Sequence, residues 1–264
     1  MDVLTPRTVE DALALKADRP DARFIQGGTD VMVELNFAHS RPTAIVNLAE
    51  LDALRGWSVD GDLLRLGAAL TYTEAMTTPL ADRLPALAEA SRTVGSPQIR
   101  NRGTLGGNLG TASPAGDALP PLLVEGAELE LASVRGVRTL PLTEFLLGVK
   151  QTALEPDELI TAVRLVPSGG AQTFMKVGPR NAMVIAICSL AVVVDPEAGE
   201  VRAAFGSAAV TATCVTVPLA DAGSLPERVA EAASPIDDVR ATAAYRRHAL
   251  RVLAGRGLDR CLRG

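Results

Sequence analysis

A long glycine-rich stretch without an acidic residue, Ser91 to Gly116 (SRTVGSPQIRNRGTLGGNLGTASPAG), most constrains what this chain can fold into. It holds six glycines, three arginines and eight Ser, Thr or Asn residues. A loop of this length inside a compact domain is usually functional or disordered. The apolar residues Ile99, Leu105 and Leu109 recur through it and indicate that it packs against a core. We therefore predict a functional loop.

Two glycine pairs are suited to binding a phosphate. They lie in Gln26-Gly27-Gly28-Thr29-Asp30 and in Thr104-Leu105-Gly106-Gly107-Asn108. Glycine permits close backbone approach, successive N–H groups can face an anion, and a helix beginning after the turn adds its positive dipole end. Arg100 and Arg102 raise the potential beside the second pair. Asp117, the first acid after it, is placed to accept hydroxyl protons from a ribose.

Both glycine pairs also have an ordinary interpretation as tight turns. Neither matches the G-x-G-x-x-G of a Rossmann unit or the G-x-x-x-x-G-K-[ST] of a P-loop. From the residues alone, a dinucleotide site and two structural turns both stay open. Lys176 is likewise either a ligand-contacting cation or a solvated strand lysine. Trp57, Tyr72 and Tyr245 are either stacking partners for a flat ring or core aromatics.

Composition excludes several classes of protein. With 264 residues, 47% hydrophobic and 22% charged, the chain has the composition of a globular protein. A net charge of −5 without a Lys/Arg cluster disfavours nucleic acid and anionic membrane as partners. No apolar run approaches the roughly 20 residues of a bilayer span. The acidic N-terminus is unlike a signal peptide, so we expect a cytoplasmic protein.

Residues that usually carry acid–base, metal or iron–sulfur chemistry are scarce. There are two histidines, His39 and His248, and three scattered cysteines, Cys188, Cys214 and Cys261. They form neither a C-x-x-C pair, a histidine-rich metal site nor a disulfide framework. We infer that a cofactor supplies any chemistry.

Hydrophobic periodicity and turn residues predict an α+β chain. The predicted helices are Thr8–Lys16 with Thr8 as N-cap, Asp30–Asn36 capped by Thr29, a helix beginning at the capping box Thr71-x-x-Glu74, Leu80–Val94, Leu142–Leu147, Pro226–Ala233 and Asp237–Ala254. The predicted strands are Arg23–Gln26, Ala44–Leu48, Leu63–Ala68, Glu128–Ser133, Glu158–Val166, Gln172–Val177, Val184–Asp195 and Val201–Val210. Pro167 to Gly170 is the clearest domain boundary, between two mixed lobes and a C-terminal layer of strands backed by helices.

Five stretches resemble, in the same order, the FAD-binding medium subunit of the molybdenum hydroxylases, the family of xanthine dehydrogenase and bacterial carbon monoxide dehydrogenase. They are QGGTD (26–30), GSPQIRNRGTLGGNLGTASPAGD (95–117), PDELI (156–160), FMKVGPR (174–180) and PIDDVRATAAYRRH (235–248). The second stretch is highly specific, and together the five span almost the whole chain.

The resemblance implies a cofactor site residue by residue. The first phosphate-cradling loop would comprise Arg23, Phe24, Ile25, Gln26, Gly27, Gly28, Thr29 and Asp30, and the second Thr104, Leu105, Gly106, Gly107 and Asn108. Asp117 would hold a polar group of the FAD, Ile160 would contact it, and Lys176 would lie near the flavin ring. Val94 stands at a cofactor position where some relatives place an aromatic residue.

The resemblance also implies a fold and partners. The fold would be α+β: a vanillyl-alcohol-oxidase-type (PCMH-type) FAD-binding domain of two α+β subdomains, residues 1–56 and 57–167, plus a C-terminal α+β domain, residues 171–264. The partners would be a small subunit with two [2Fe–2S] clusters and a large molybdopterin subunit, in a dimer of heterotrimers. Electrons would pass through FAD to NAD, a quinone or oxygen, without a catalytic side chain or metal ligand in this chain. The alternatives are a stand-alone FAD-dependent reductase of the same superfold and a scaffold that has lost the cofactor.

Overall fold

The N-terminal part of the chain forms a small parallel sheet. The computed structural model describes residues 1–37 and 41–263, so His39 lies outside the described residues. The first elements are β1 (Asp2–Leu4), α1 (Val9–Asp18), β2 (Arg23–Ile25), α2 (Val31–Asn36), β3 (Ala44–Asn47) and a 3-10 turn at Asp52–Leu54. β3 lies in the centre of the sheet and pairs in parallel with both β1 and β2.

The predicted capping of these two helices is confirmed for one and wrong for the other. Thr8 caps α1 by accepting the N–H of Asp11 at 3.0 Å. At α2 the N-cap position is Asp30, not Thr29, and its side chain makes no cap hydrogen bond. The turn closes through its backbone instead: Gly28, with φ +75°, places its carbonyl to accept the N–H of Met32 at 3.1 Å.

The middle of the chain forms a five-stranded antiparallel sheet. Its elements are β4 (Trp57–Asp60), β5 (Leu63–Gly67), α3 (Tyr72–Ala75), α4 (Leu80–Arg83), α5 (Pro85–Thr93), α6 (Pro97–Arg100), α7 (Leu105–Thr111), α8 (Leu119–Val124), β6 (Glu128–Ser133), β7 (Gly136–Pro141), α9 (Leu142–Phe145), β8 (Leu146–Gly148), β9 (Gln151–Thr152) and β10 (Leu159–Leu165). The strand order is β4-β5-β10-β6-β7, and β8 and β9 form a separate hairpin. The predicted capping box at Thr71 is confirmed, with Glu74 as its second member.

The glycine-rich stretch is not the long loop that its composition predicts. It contains the end of α5, all of α6 and all of α7. Ser96 and Thr104 cap α6 and α7 with their side chains, and this capping offsets the low helix propensity of glycine. Leu105 and Leu109 are fully buried, as expected, whereas Ile99 is 37% exposed.

The C-terminal part forms a four-stranded antiparallel sheet with helices on both faces. Its elements are β11 (Ala171–Val177), β12 (Cys188–Asp195), β13 (Glu200–Gly206), β14 (Thr213–Pro218), a 3-10 turn at Leu219–Ser224, α10 (Leu225–Ala232) and α11 (Ala243–Arg263). Helices α10 and α11 cover one face and form a core with it. Helices α5 and α8 of the middle region pack on the same strands, so residues such as Phe174 and Val193 belong to the core of the five-stranded sheet.

Several predicted boundaries were wrong for local reasons. The predicted helix Leu80–Val94 is two helices, because Pro85 begins a new one. Strand Val184–Asp195 begins only at Cys188, and the strand expected to reach Val210 ends at Gly206. The final helix begins at Ala243, six residues later than predicted, and runs on to Arg263. Among the described residues, no helix combines the length and apolar character that a membrane crossing requires.

Candidate functional site

A cleft of about 680 Å³ runs along the junction of the first two sheets. The β2–α2 turn, helix α7, the chain beyond it and the start of β10 line it. Of the residues predicted to hold the cofactor, those that line it are Arg23, Phe24, Gln26, Gly27, Gly28, Thr29, Asp30, Val94, Thr104, Gly106, Gly107, Asn108, Asp117 and Ile160. Ile25, Leu105 and Lys176 do not line it; Leu105 is fully buried and Lys176 lies behind Asp117.

The first glycine turn packs against the residues just before the second one. A Cβ on Gly27 would lie 1.9 Å from the carbonyl oxygen of Arg102, so only glycine permits this approach. The Thr111 hydroxyl donates to the Asp30 carboxylate at 3.1 Å and ties the end of α7 to the start of α2. The turns are therefore one structural unit, as a shared ligand requires.

The first turn presents free backbone donors. Within residues 1–37 and 41–263, no acceptor takes the amide hydrogens of Gly27, Gly28 or Thr29. Consecutive unpaired N–H groups beside a cleft form a concavity that suits an anion such as a pyrophosphate. This geometry matches the role expected for the first glycine pair.

The second turn does not present such donors, contrary to the expectation from its sequence. The amides of Leu105, Gly106, Gly107 and Asn108 donate, in that order, to Leu70 O at 3.0 Å, Ala68 O at 2.8 Å, Thr104 Oγ1 at 3.1 Å and Thr104 O at 3.0 Å. The glycines instead allow close packing, since a Cβ on Gly106 would lie 2.7 Å from the Cβ of Ala68. This wall contributes surface and side chains to the cleft.

Asp117 and Lys176 form a buried ion pair at the wall of the cleft. Lys176 Nζ lies 2.6 Å from Asp117 Oδ2, and the two side chains are 5% and 8% exposed. Burial raises the pKa of Asp117, and the Lys176 ammonium opposes this rise. Lys176 therefore holds the Asp117 carboxylate in position without itself lining the cleft.

Three buried side-chain oxygens in the cleft lack a donor within the described part of the chain. They are Gln26 Oε1, Asn108 Oδ1 and Asp117 Oδ1. Buried acceptors are almost always hydrogen-bonded in folded proteins. The cleft thus fits a ligand that carries an anion at the first turn and O–H or N–H donors near Asn108 and Asp117, as FAD does with its pyrophosphate, ribityl chain and rings.

The start of β10 and the segment before it also line the cleft. A register shift between Ile160 and Ala162 forms a bulge where Ile160 lines the cleft. Glu158 lines it too and receives a bidentate bond from Arg138 at 2.6 and 2.8 Å. This bond holds the pKa of Glu158 below its usual range, although burial opposes the shift.

Some cleft residues were missed by sequence reasoning. Lys16, Thr111 and Ile185 line the cleft without having been predicted. Tyr72, which was named as a possible stacking aromatic, also lines it, whereas Trp57 and Tyr245 do not. Lys16 comes from a helix that reads only as amphipathic, and its Nζ lies 5.7 Å from the centre of the Phe24 ring. Ile185 follows the FMKVGPR stretch and is 64% exposed. An exposed isoleucine indicates a ligand contact only when the position of the cleft is known.

The fold and the cleft together define a dinucleotide-binding protein built from two subdomains with an added C-terminal sheet. The family model described as the FAD binding domain in molybdopterin dehydrogenase matches residues 1–168. The chain belongs to this family, and its cofactor is FAD.

Relatives and solved structures agree with this assignment. The chain is 38% identical over 213 residues to the xanthine dehydrogenase FAD-binding subunit of Escherichia coli O157:H7, covering 77% of this chain and 73% of the relative. It is 35% identical over 204 residues to the nicotinate dehydrogenase FAD-subunit of Eubacterium barkeri, covering 74% and 69%.

Its structure matches carbon monoxide dehydrogenase from Hydrogenophaga pseudoflava with a TM-score of 0.91 and 25% identity, over 99% of this chain and 97% of the other. It matches quinoline 2-oxidoreductase from Pseudomonas putida 86 with a TM-score of 0.92 and 25% identity, over 100% and 97%. The predicted PCMH-type α+β fold is confirmed, and the chain is a flavoprotein subunit of a molybdenum hydroxylase-type oxidoreductase.

Proposed function

We propose that this subunit accepts electrons from the [2Fe–2S] clusters of a small partner subunit and passes them to a terminal acceptor such as NAD, a quinone or oxygen. The observation that carries the proposal is the state of the cleft carboxylates. Each is already engaged: Asp30 by Thr111, Asp117 by Lys176, Glu155 by Arg135 and Glu158 by Arg138. Side chains arranged in this way bind and orient a cofactor, and the redox chemistry belongs to the cofactor.

The chain's own residues have distinct binding roles in this proposal. The amides of Gly27, Gly28 and Thr29 hold the pyrophosphate, and the Asn108 and Asp117 side-chain oxygens accept hydrogen bonds from the rest of the cofactor. Ile160 and Val94 supply apolar contact. Bound FAD can take up electrons one at a time and release them as a pair, which suits a position between clusters and a two-electron acceptor.

The proposed assembly is a dimer of heterotrimers in the cytoplasm, with a small [2Fe–2S] subunit and a large molybdopterin subunit. Among the described residues, no group of three or more His, Cys, Asp or Glu side chains could hold a metal ion. We retain residues 1–56, 57–167 and 171–264 as two FAD-binding subdomains and a C-terminal domain. The separation of the three main sheets along the chain supports this division.

Flavin reduction in two preparations tests the proposal. The FAD-loaded subunit alone, mixed anaerobically with substrate of the co-purified complex, is expected to keep its oxidised flavin spectrum. The co-purified complex with the same substrate is expected to lose it, together with the cluster absorbance. A complex whose clusters are reduced while the flavin stays oxidised would contradict the proposed route.

The stand-alone reductase is the alternative function. It predicts that the FAD-loaded subunit, without partners, turns over with NADH or NADPH and a second substrate. Steady-state oxidation of NADPH by the purified chain, above the rate of free FAD, would favour this alternative.

A further inference from the structure

We propose that Arg138 is a positioning residue of the FAD site, which holds the segment before β10, residues 153–158, where that segment lines the cleft. The inference rests on the placement of FAD in the cleft. It adds to the site a residue of β7, which belongs to neither glycine turn. Arg138 does not itself line the cleft, whereas four residues of the segment do: Leu154, Glu155, Pro156 and Glu158.

The segment of residues 153–158 has little backbone structure to fix its shape. It belongs to neither a helix nor a strand. Ala153 N–H donates to Phe145 O at 2.9 Å, and Glu158 N–H donates to Glu155 O at 3.0 Å. A segment outside the regular ladders takes its remaining hydrogen bonds from side chains. Its shape therefore depends on the side chains that reach it.

Arg138 connects the two ends of this segment. Its Nε and Nη2 donate to the two carboxylate oxygens of Glu158 at 2.6 and 2.8 Å, and Nη2 also donates to Ala153 O at 2.8 Å. The Glu158 carboxylate in turn accepts the N–H of Glu155 at 2.9 Å. A bidentate pair of this kind fixes direction as well as distance. One guanidinium thus holds the first residue of the segment, the last residue and, through Glu158, a residue between them.

The charge of Arg138 is needed as well as its geometry. The Glu158 side chain is 4% exposed, and a buried carboxylate is costly unless its charge is paired. Glu155 and Glu158 also line a cleft that is to receive a diphosphate. Arg138 neutralises Glu158, and Arg135, at 2.7 Å from Glu155, neutralises the other. The two arginines therefore keep this part of the cleft from repelling the cofactor.

Arg138→Met tests the role, because it keeps an apolar stem of similar length and removes every donor. We expect the dissociation constant of FAD, measured by fluorescence titration of the FAD-free subunit, to rise about tenfold. Amide hydrogen exchange at position 155 should become faster, since that N–H donates to the Glu158 carboxylate. Arg138→Lys, which keeps the charge without the fork of donors, should raise the constant by a smaller factor.

Arg65→Met is the matched control. Arg65 makes a bidentate pair with Glu130 at 2.7 and 3.4 Å in the same five-stranded sheet, and neither residue lines the cleft. The exposed fractions of the two arginine side chains are similar, 35% for Arg65 and 40% for Arg138. We expect the control to shift the urea midpoint about as much as Arg138→Met and to leave the dissociation constant of FAD and the exchange at position 155 unchanged.

A double-mutant cycle tests whether Arg138 acts through Glu158. Adding Arg138→Met to Glu158→Gln should weaken FAD binding by less than Arg138→Met does alone. Additive losses, an Arg138→Met variant that binds FAD like the wild type, or an equal loss in Arg65→Met would each overturn the proposal. A wild-type subunit that binds no FAD would overturn the cofactor site and this role together. Failure of electron transfer from the clusters, with the cycle as expected, would remove only the proposed electron route.

Discussion

At the residue scale, close packing requires a glycine at position 106 of α7 but not at position 110. A Cβ on Gly106 would meet Ala68 Cβ at 2.7 Å and Ala68 O at 2.8 Å, whereas on Gly110 the nearest atom is Ile160 Cδ1 at 3.8 Å. Both residues line the cleft, in the same seven-residue helix. They form a matched pair for substitution.

Gly106→Ala is expected to lower the free energy of unfolding of the FAD-free subunit by about 2 kcal/mol, because the new methyl group must displace the backbone after β5. Gly110→Ala is expected to be neutral or to stabilise it by up to about 1 kcal/mol, since alanine is the better helix former. Urea denaturation measures both. Equal losses in the two variants would show that packing against Ala68 is not what excludes a side chain at position 106.

A pH dependence follows from Glu158. Its pKa in the folded protein is lowered, chiefly by the hydrogen bond from Arg138. A lowered folded-state pKa contributes stability above the ordinary carboxyl pKa, and this stability is lost as the pH falls through the folded value. Glu158→Gln should therefore flatten the loss of Tm as the pH falls from about 5 to about 3, relative to the wild type. Parallel Tm curves for the two proteins would contradict this assignment.

At the element scale, the strands that sequence reasoning missed share one property. β1, β4, β7 and β14 all lie at the edge of their sheets, and β8 and β9, which were also missed, have only each other as neighbours. Edge strands have one neighbour and more exposed side chains, so their hydrophobic pattern is weak; β4 and β7 are mostly exposed. Interior strands such as β6 and β10 were predicted almost to the residue, because both of their faces are largely buried.

The start of α11 shows why local polar residues were misread. Asp237 and Asp238 look like residues inside the first turn of the helix, but both precede it. The Asp238 carboxylate accepts the backbone N–H groups of Arg240 and Ala241 in the loop, and the Asp237 carboxylate accepts that of Ala243, the first residue of α11. The Thr242 hydroxyl oxygen accepts the N–H of Tyr245 in the first turn of the helix. Sequence alone shows the capping residues without showing which backbone groups they reach.

Arg246 fixes α11 to the four-stranded sheet. Its side chain is 2% exposed and donates to the carbonyls of Ile187 at 2.5 Å and Ser207 at 2.7 Å, besides its ion pair with Asp238. Arg246→Ala should cost on the order of 3 kcal/mol, since it removes the side-chain donor of two carbonyls and the buried ion pair with Asp238. Arg263→Ala, at an exposed pair on the same helix, should change stability by less than about 0.5 kcal/mol. The denaturation midpoints of the two variants test this difference, and equal midpoints would contradict it.

At the scale of the whole molecule, Glu89 joins three parts of the chain. From α5 it accepts the N–H of Phe174 at 2.7 Å and the hydroxyl of Thr173 at 2.9 Å, and it pairs with Arg260 of α11 at 2.9 Å. The cores of the five-stranded sheet and of β11–β13 are also continuous. We infer that the middle and C-terminal regions unfold together.

Glu89→Ala should lower the free energy of unfolding by about 1–3 kcal/mol, because Phe174 N–H and the Thr173 hydroxyl are buried and lose their acceptor. The single tryptophan, Trp57 of β4, reports on the middle sheet by fluorescence, while circular dichroism reports on the whole chain. Both signals should shift by the same amount. Glu231→Ala, at an exposed pair, is the control. Two separated transitions in the wild type would show that the regions unfold independently.

The difference in hydrogen bonding between the two glycine turns has a consequence for how the subunit is loaded. The amide hydrogens of positions 105–108 in α7 are satisfied by protein acceptors, whereas those of Gly27, Gly28 and Thr29 have no acceptor among the residues that the structure describes. When flavin is removed, the backbone amides of α7 therefore keep their protein acceptors, whereas those of the first glycine turn must hydrogen-bond to water. Amide deuterium exchange should differ accordingly. Adding flavin should slow exchange at positions 27–29 far more than at positions 105–108. Exchange in the N-terminal region would then report whether FAD is bound, while exchange in the middle region would stay nearly unchanged.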